Sequence, residues 1–219
     1  MSSTEVVYGK RPVAEAERGR RRVRRVWRAP DTDAAELTQL AGSPDHQGVV
    51  AEVDPYPYAD ADALLEQPDA LVVALDRIQD PQNLGAMARS AEAAGATGLV
   101  IPSRRSASVT PAAAKASAGA VEHLRIARTN LAEFLSRAKD AGAWVYGAEA
   151  NAEAPYTQVD LTGKLVLVLG SEGTGLRRLV AERCDALISI PVRGRVASLN
   201  VSAAAAALLF EAVRQRGRV

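Results

Sequence analysis

The chain has 219 residues, 47% of them hydrophobic, which is enough for one sizeable α/β domain with a small appendage and a filled core. A single cysteine, Cys184, excludes an internal disulfide, and His46 and His123 lie far apart without a cysteine cluster, so no metal site is expected. No run of about 18 apolar residues and no apolar leader is present, so a cytoplasmic protein without a membrane span is expected.

Net charge is only +1, but the basic residues are unevenly placed. From Lys10 to Arg28, KRPVAEAERGRRRVRRVWR holds nine Lys or Arg and two Glu, a local positive field suited to RNA phosphates or, equally, to a solvated basic face. Val23, Val26 and Trp27 among the arginines favour an ordered strand or helix there. Aromatic residues are only 4% of the chain, so platforms for stacking bases are scarce and the core must be aliphatic.

Gln47 to Val53 reads as a strand, and Asp54-Pro55-Tyr56-Pro57-Tyr58-Ala59-Asp60 breaks regular structure and marks a boundary. Asp60 to Gln67 reads as a short helix or linker. From Ala70 the pattern becomes apolar strands alternating with helical segments: ALVVAL, a helix after Asn83, GLVI, helices after Thr110 and from Leu131, WVYG, KLVLVLG, a helix from Leu176, LISIP and a final helix. That alternation predicts a mainly parallel sheet covered on both faces, with ligands in the loops that follow the strands.

Three such loops carry candidate chemistry. Asp76 to Gly85 follows the first strand of this region, where Pro81 and Asn83 suit a helix start. Arg89, in a helix of small apolar residues whose Gly85 implies close packing, needs an anionic or carbonyl partner. Asn83 and Arg89 are six residues apart and fall on different faces of one helix, so Asn83 is expected to act from the preceding loop. The apolar strand ending at Leu169 breaks into Gly170-Ser171-Glu172-Gly173-Thr174-Gly175, whose glycines let a ligand approach the backbone. Its spacing is neither a dinucleotide fingerprint nor a P-loop, and Glu172 opposes phosphates while tolerating a cation. After Ile190, Ser198 suits a helix cap, and Asn200, in a helix start apolar on nearly all sides, is expected to be buried and to need hydrogen-bond partners.

Taken together, Asp80 to Arg89 (D-P-x-N-L-G-x-x-x-R), Leu169 to Gly175 (L-G-S-E-G-x-G) and Ile190 to Ser202 (I-P-x-x-G-x-x-x-S-L-N-V-S) resemble the three motifs of the SpoU/TrmH family of RNA ribose 2′-O-methyltransferases, in that family's order. The resemblance implies an α/β fold with a SPOUT-type parallel sheet, a C-terminal trefoil knot and S-adenosylmethionine as cofactor. It assigns cofactor contacts to Leu169, Gly170, Ile190, Ser198 and Leu199, catalytic roles to Asn83, Arg89, Glu172 and Asn200, and a homodimeric state. Arg89 would engage the target phosphate and hydroxyl, either accepting the proton or stabilising the developing alkoxide.

Val7-Tyr8-Gly9 and His46-Gln47-Gly48 are similar to signatures of the RlmB-like subgroup, whose small N-terminal α/β domain binds RNA, although the interval between them is short here. This implies a shortened RNA-binding domain over 1–56, a linker over 57–69 and the methyltransferase domain over 70–219, with a guanosine of large-subunit ribosomal RNA as substrate. Transfer RNA methylation and a non-catalytic ribosome-assembly role are the alternatives; a phosphate-binding nucleotide enzyme is disfavoured by the missing loop lysine and by Glu172.

Overall fold

In the computed structural model, which describes residues 4–104, 106–171, 173–195 and 198–217, two sheets share one aliphatic core. The first is antiparallel, ordered β1 (Glu5–Tyr8), β3 (Val49–Val53), β2 (Val23–Arg28). Between its strands lie α1 (Lys10–Arg18) and α2 (Ala34–Ala41), so the basic stretch is one helix plus one edge strand. His46-Gln47-Gly48 makes the turn into β3: Gln47 adopts φ 55°, and its Oε1 accepts from the Lys10 N–H at the start of α1 at 3.0 Å.

The second sheet is parallel throughout, in the order β6 (Ile126–Thr129), β5 (Gly98–Pro102), β4 (Leu71–Asp76), β9 (Leu165–Gly170), β7 (Trp144–Ala148), β10 (Ala186–Ser189), β8 (Ala154–Pro155). The four central strands β5, β4, β9 and β7 read as apolar runs because helices cover both faces. β6 and β8 were not legible as strands. β6 carries Arg128 and Thr129 at the sheet's edge, where polar side chains reach solvent, and β8 has only two residues.

One face is covered by α3 (Pro81–Ala93), α4 (Pro111–Ala116) and α7 (Val201–Gln215), the other by α5 (Leu131–Asp140) and the single turn α6 (Arg178–Ala181). Gly85 lets α3 and α4 touch: a Cβ there would meet Ala116 Cβ at 2.5 Å and the Ala113 carbonyl at 2.6 Å. Three helix starts differ from expectation. Asp80 caps α3, its side chain accepting from Gln82, which leaves Asn83 inside the first turn and not in the loop. Leu176 precedes α6, which begins only at Arg178. α7 is capped by Asn200 and not Ser198, and its start is open: Leu199 is 44% exposed and Asn200 is exposed as well, because the apolar residues there face a cleft and not protein.

The two sheets are joined by a buried ion pair. Arg21 is 5% exposed and Glu122 1%. Arg21 Nε donates to Glu122 Oε2 at 2.9 Å, Nη2 meets Oε1, and Nη1 reaches Glu5 at 2.9 Å. Burial by itself would lower the Arg21 pKa, but the hydrogen bond and charge of Glu122 and the charge of Glu5 outweigh it, and the guanidinium is held charged. Alongside, Tyr56 donates its hydroxyl to the Val121 carbonyl at 2.9 Å, and Arg20 donates to the same Tyr56 oxygen at 3.2 Å. Burial pushes this phenol above its ordinary pKa, with Arg20 pulling the other way.

The positive field between Lys10 and Arg28 is thus partly spent on the fold, since Arg24 also pairs with Asp54 and Arg28 with Glu17. Glu122→Ala, which leaves Arg21 buried without its main partner, is expected to cost about 3–5 kcal/mol in urea denaturation.

Candidate active site

At the carboxyl ends of β9, β7 and β10 a cleft of about 610 Å³ opens. Ligands in parallel α/β sheets sit at this edge. Its walls are mixed: Leu169, Ile188, Ile190, Leu199, Val201 and Ala204 are apolar, Asn151, Ser171, Thr174, Ser198 and Asn200 polar, and the glycines of the glycine-rich turn line one side. Among the described lining residues only Glu149 is charged. None of the described lining residues is a cation that could hold a phosphate, so the cleft suits a ligand that lacks phosphates or carries positive charge.

The glycine-rich turn is built by close approach of its own backbone. A Cβ on Gly170 would lie 2.2 Å from the carbonyl carbon of Gly175, and Ser171 and Gly175 form a bridge. The glycine at 170 therefore makes room for the turn itself, which also borders the cleft. Two carboxylates then fasten the far end of the turn. Asp76, fully buried at the end of β4, accepts from the Arg177 backbone N–H at 2.7 Å and from Arg177 Nε at 2.6 Å. Glu149, following β7, accepts from the Leu176 N–H at 2.7 Å. Arg77, at φ 59°, donates to Thr174 Oγ1 at 3.3 Å, while its buried Nε has no hydrogen-bond partner among the described residues.

Leu169, Gly170, Ile190, Ser198, Leu199 and Asn200 all line this one cleft. Asn200 Oδ1 accepts from the Ser202 N–H at 2.9 Å, and its Nδ2 donates to Asn83 Oδ1 at 3.1 Å, so the first and third motifs meet at the cleft's rim. Arg89 is not brought to it. The side chain is exposed on α3 with no hydrogen bond or ion pair among the described residues, in place of the local partner expected for it. Glu172 lies outside the described residues.

Sequence reading places Asp76 at the head of the first loop without giving it a role, and misses Glu149 and Arg177. Glu149 directly follows an apolar strand, as the three singled-out loops do, and that was the available signal. Among the described residues no group of three or more His, Cys, Asp and Glu side chains is placed to hold a metal, and no helix is long and apolar enough to cross a membrane.

Residues 70–210 match the model of the SpoU rRNA methylase family. The chain belongs to that family. It is 41% identical over 244 aligned positions to YacO of Bacillus subtilis, which is assigned by name to the TrmH family of tRNA/rRNA methyltransferases; the match covers 98% of this chain and 97% of YacO. An S-adenosylmethionine-bound rRNA methyltransferase from Sinorhizobium meliloti superposes with a TM-score of 0.86 at 26% identity, covering 96% of this chain and 87% of its own. A structure described as an RNA 2′-O ribose methyltransferase gives 0.82 at 27%, covering 98% and 90%. The parallel sheet is accordingly that of a SPOUT methyltransferase.

Cys184 lies behind this SpoU cleft, against Gly147. Burial first, then the charge of Asp185, pushes its thiol up to about 12. Thiol reagents at pH about 8 should therefore label it slowly in the native protein and rapidly in denaturant, where the pKa returns to about 8.5. In the same region, Gly170→Ala is expected to cost about 1–3 kcal/mol by overpacking the turn, read as a lowered melting temperature.

Proposed function

We propose that this chain transfers a methyl group from S-adenosylmethionine to the 2′-hydroxyl of a guanosine ribose in large-subunit ribosomal RNA, acting as a cytoplasmic homodimer. The observation that carries the reading is the cleft, where residues of the second and third motifs form the walls and Asn83 of the first motif is bonded to the rim. Its apolar side chains, its backbone groups and, among the described residues, its one carboxylate Glu149 fit a cofactor that has a sulfonium and no phosphate. The ribosomal substrate is supported by the match, over nearly the whole chain, to an enzyme described as an rRNA methyltransferase. The guanosine follows from the Val7-Tyr8-Gly9 and His46-Gln47-Gly48 signatures.

In this reading Leu169, Gly170, Ile190, Ser198 and Leu199 hold the cofactor, which when bound supplies an electrophilic methyl group. Asn200, tied to Asn83, orients the ribose at the rim, and Glu172 organises the turn. Arg89 engages the target phosphate and hydroxyl and stabilises the alkoxide as it develops, the hydroxyl proton passing to solvent water; a guanidinium, which stays cationic, suits that role better than proton abstraction.

Arg89 does not line the cleft of its own chain, which supports a dimer in which a second copy brings it there. The outward strip of α7, with exposed Ala203 and Phe210 (48% exposed), suits such a contact. Tritiated-methyl transfer to undermodified large-subunit rRNA and to transfer RNA, with the labelled position mapped, tests the reading. Label on a guanosine ribose in the ribosomal RNA is expected, and label on transfer RNA alone would change the substrate while keeping the chemistry. Arg89→Lys should lower turnover on the order of 100-fold with cofactor affinity unchanged, and Phe210→Asp should yield an inactive monomer by sedimentation.

A further inference from the structure

Because the second sheet is parallel, every strand delivers its carboxyl end to one edge of the molecule. On β6, β5 and β4 that edge carries arginines: Arg128 within the last residues of β6, Arg104 two residues beyond β5, and Arg77 immediately after β4. The carboxylates at the end of β4 are already engaged, since Asp76 is buried on Arg177 and Asp80 caps α3. The edge is therefore net cationic beside a cleft whose only described charge is Glu149.

Arg128 is held in place before any ligand arrives. Its guanidinium lies 5.0 Å from the centroid of the Tyr58 ring, and one Nη donates weakly to the Ser103 carbonyl at 3.4 Å. Tyr58 is fixed in turn, its hydroxyl accepting from the Val109 N–H at 3.1 Å and its ring set edge-on to Tyr56 at 5.0 Å. A guanidinium stacked on a ring keeps most of its N–H donors free in its own plane, the geometry that matches a phosphate. Arg104, next to Ser103, is exposed and has no hydrogen bond or ion pair among the described residues. Pairing of Pro102 with Thr129, and the Arg128 contact to the carbonyl of Ser103, place these two arginines, 24 residues apart in sequence, at neighbouring strand ends.

The placement is continuous with the cleft. The loop that carries Arg104 is bonded to the loop after β4 through the Ala107 N–H and the Ile78 carbonyl at 2.7 Å, and Arg77 of that loop touches Thr174 in the cleft wall. From β6 to β9 is three strand spacings, roughly 14 Å. At its other end the track adjoins Tyr56 and Tyr58, the segment that leaves the first sheet.

We propose that Arg104 and Arg128 form a phosphate-binding step that carries the substrate RNA backbone from the first sheet to the cleft. This rests on the RNA-methyltransferase reading and assigns the path by which that RNA arrives. Each arginine that neutralises a phosphate releases counterions, so its loss lowers the slope of log affinity against log salt by about one.

The test measures binding of a labelled transcript of the large-subunit peptidyl-transferase region by the full chain between about 50 and 200 mM salt, with methyl transfer and cofactor affinity followed in parallel. Arg104→Gln, whose side chain has no partner to lose, should reduce the slope by about one, and Arg104→Gln/Arg128→Gln by about two, with cofactor affinity and melting temperature held. Slopes equal to the unmodified chain's, in a protein that still binds and methylates RNA, would overturn this path and leave the function standing. The same follows if only Arg11→Gln/Arg22→Gln, on α1 and just before β2, moves the slope. Absence of salt-dependent RNA binding by the unmodified chain would overturn both.

Discussion

Asp76 ends the first strand of the parallel sheet with a carboxylate that no solvent reaches, and it holds both the backbone and the side chain of Arg177, 101 residues away in sequence. A buried carboxylate must be paired, and here the partner is the segment that closes the glycine-rich turn. Gly170 can therefore press against Gly175, Glu149 can reach the Leu176 amide, and the turn presents its backbone to the cleft in a fixed shape. A site that recognises a ligand through main-chain groups has no rotamers to adjust, so its accuracy depends on such anchoring.

The surrounding charges divide by what they touch. Arg21 and Arg20 stabilise the junction between the two sheets, Arg177 shapes the cleft, and Arg104, Arg128 and Arg89 remain turned outward. Sequence position does not sort these roles. The densest basic segment is partly consumed by internal pairs, while arginines scattered singly through the second region converge on one edge because the strands are parallel.

The strands of the fold were legible because the central ones are apolar on both sides, and the cleft was legible because loops after such strands are where ligands bind. What escaped depends on contacts between distant segments. Glu149 and Asp76 bond to backbone amides 27 and 101 residues away, and nothing in their immediate neighbourhood announces this. The helical position of Asn83 is legible locally, because Asp80-Pro81 supplies a cap and a first helical residue ahead of it. The exposure of Leu199 and Asn200 reverses the burial expected for them, since an apolar helix start can face a cleft as well as a packed core.

The position of β9 carries a consequence for how the molecule is made. It lies between β4 and β7, pairing along its whole length with a strand that precedes it by more than 90 residues. While the chain is being synthesised, β4 and β7 have no neighbour between them until residue 170 has emerged, and after that only β10, between β7 and β8, is still to be added. Such late, long-range closure makes for slow folding and leaves two apolar strand edges open in the interval. Folding of this chain is therefore set by its C-terminal third, and a nascent chain stalled before β9 would present those edges to whatever binds unpaired strands.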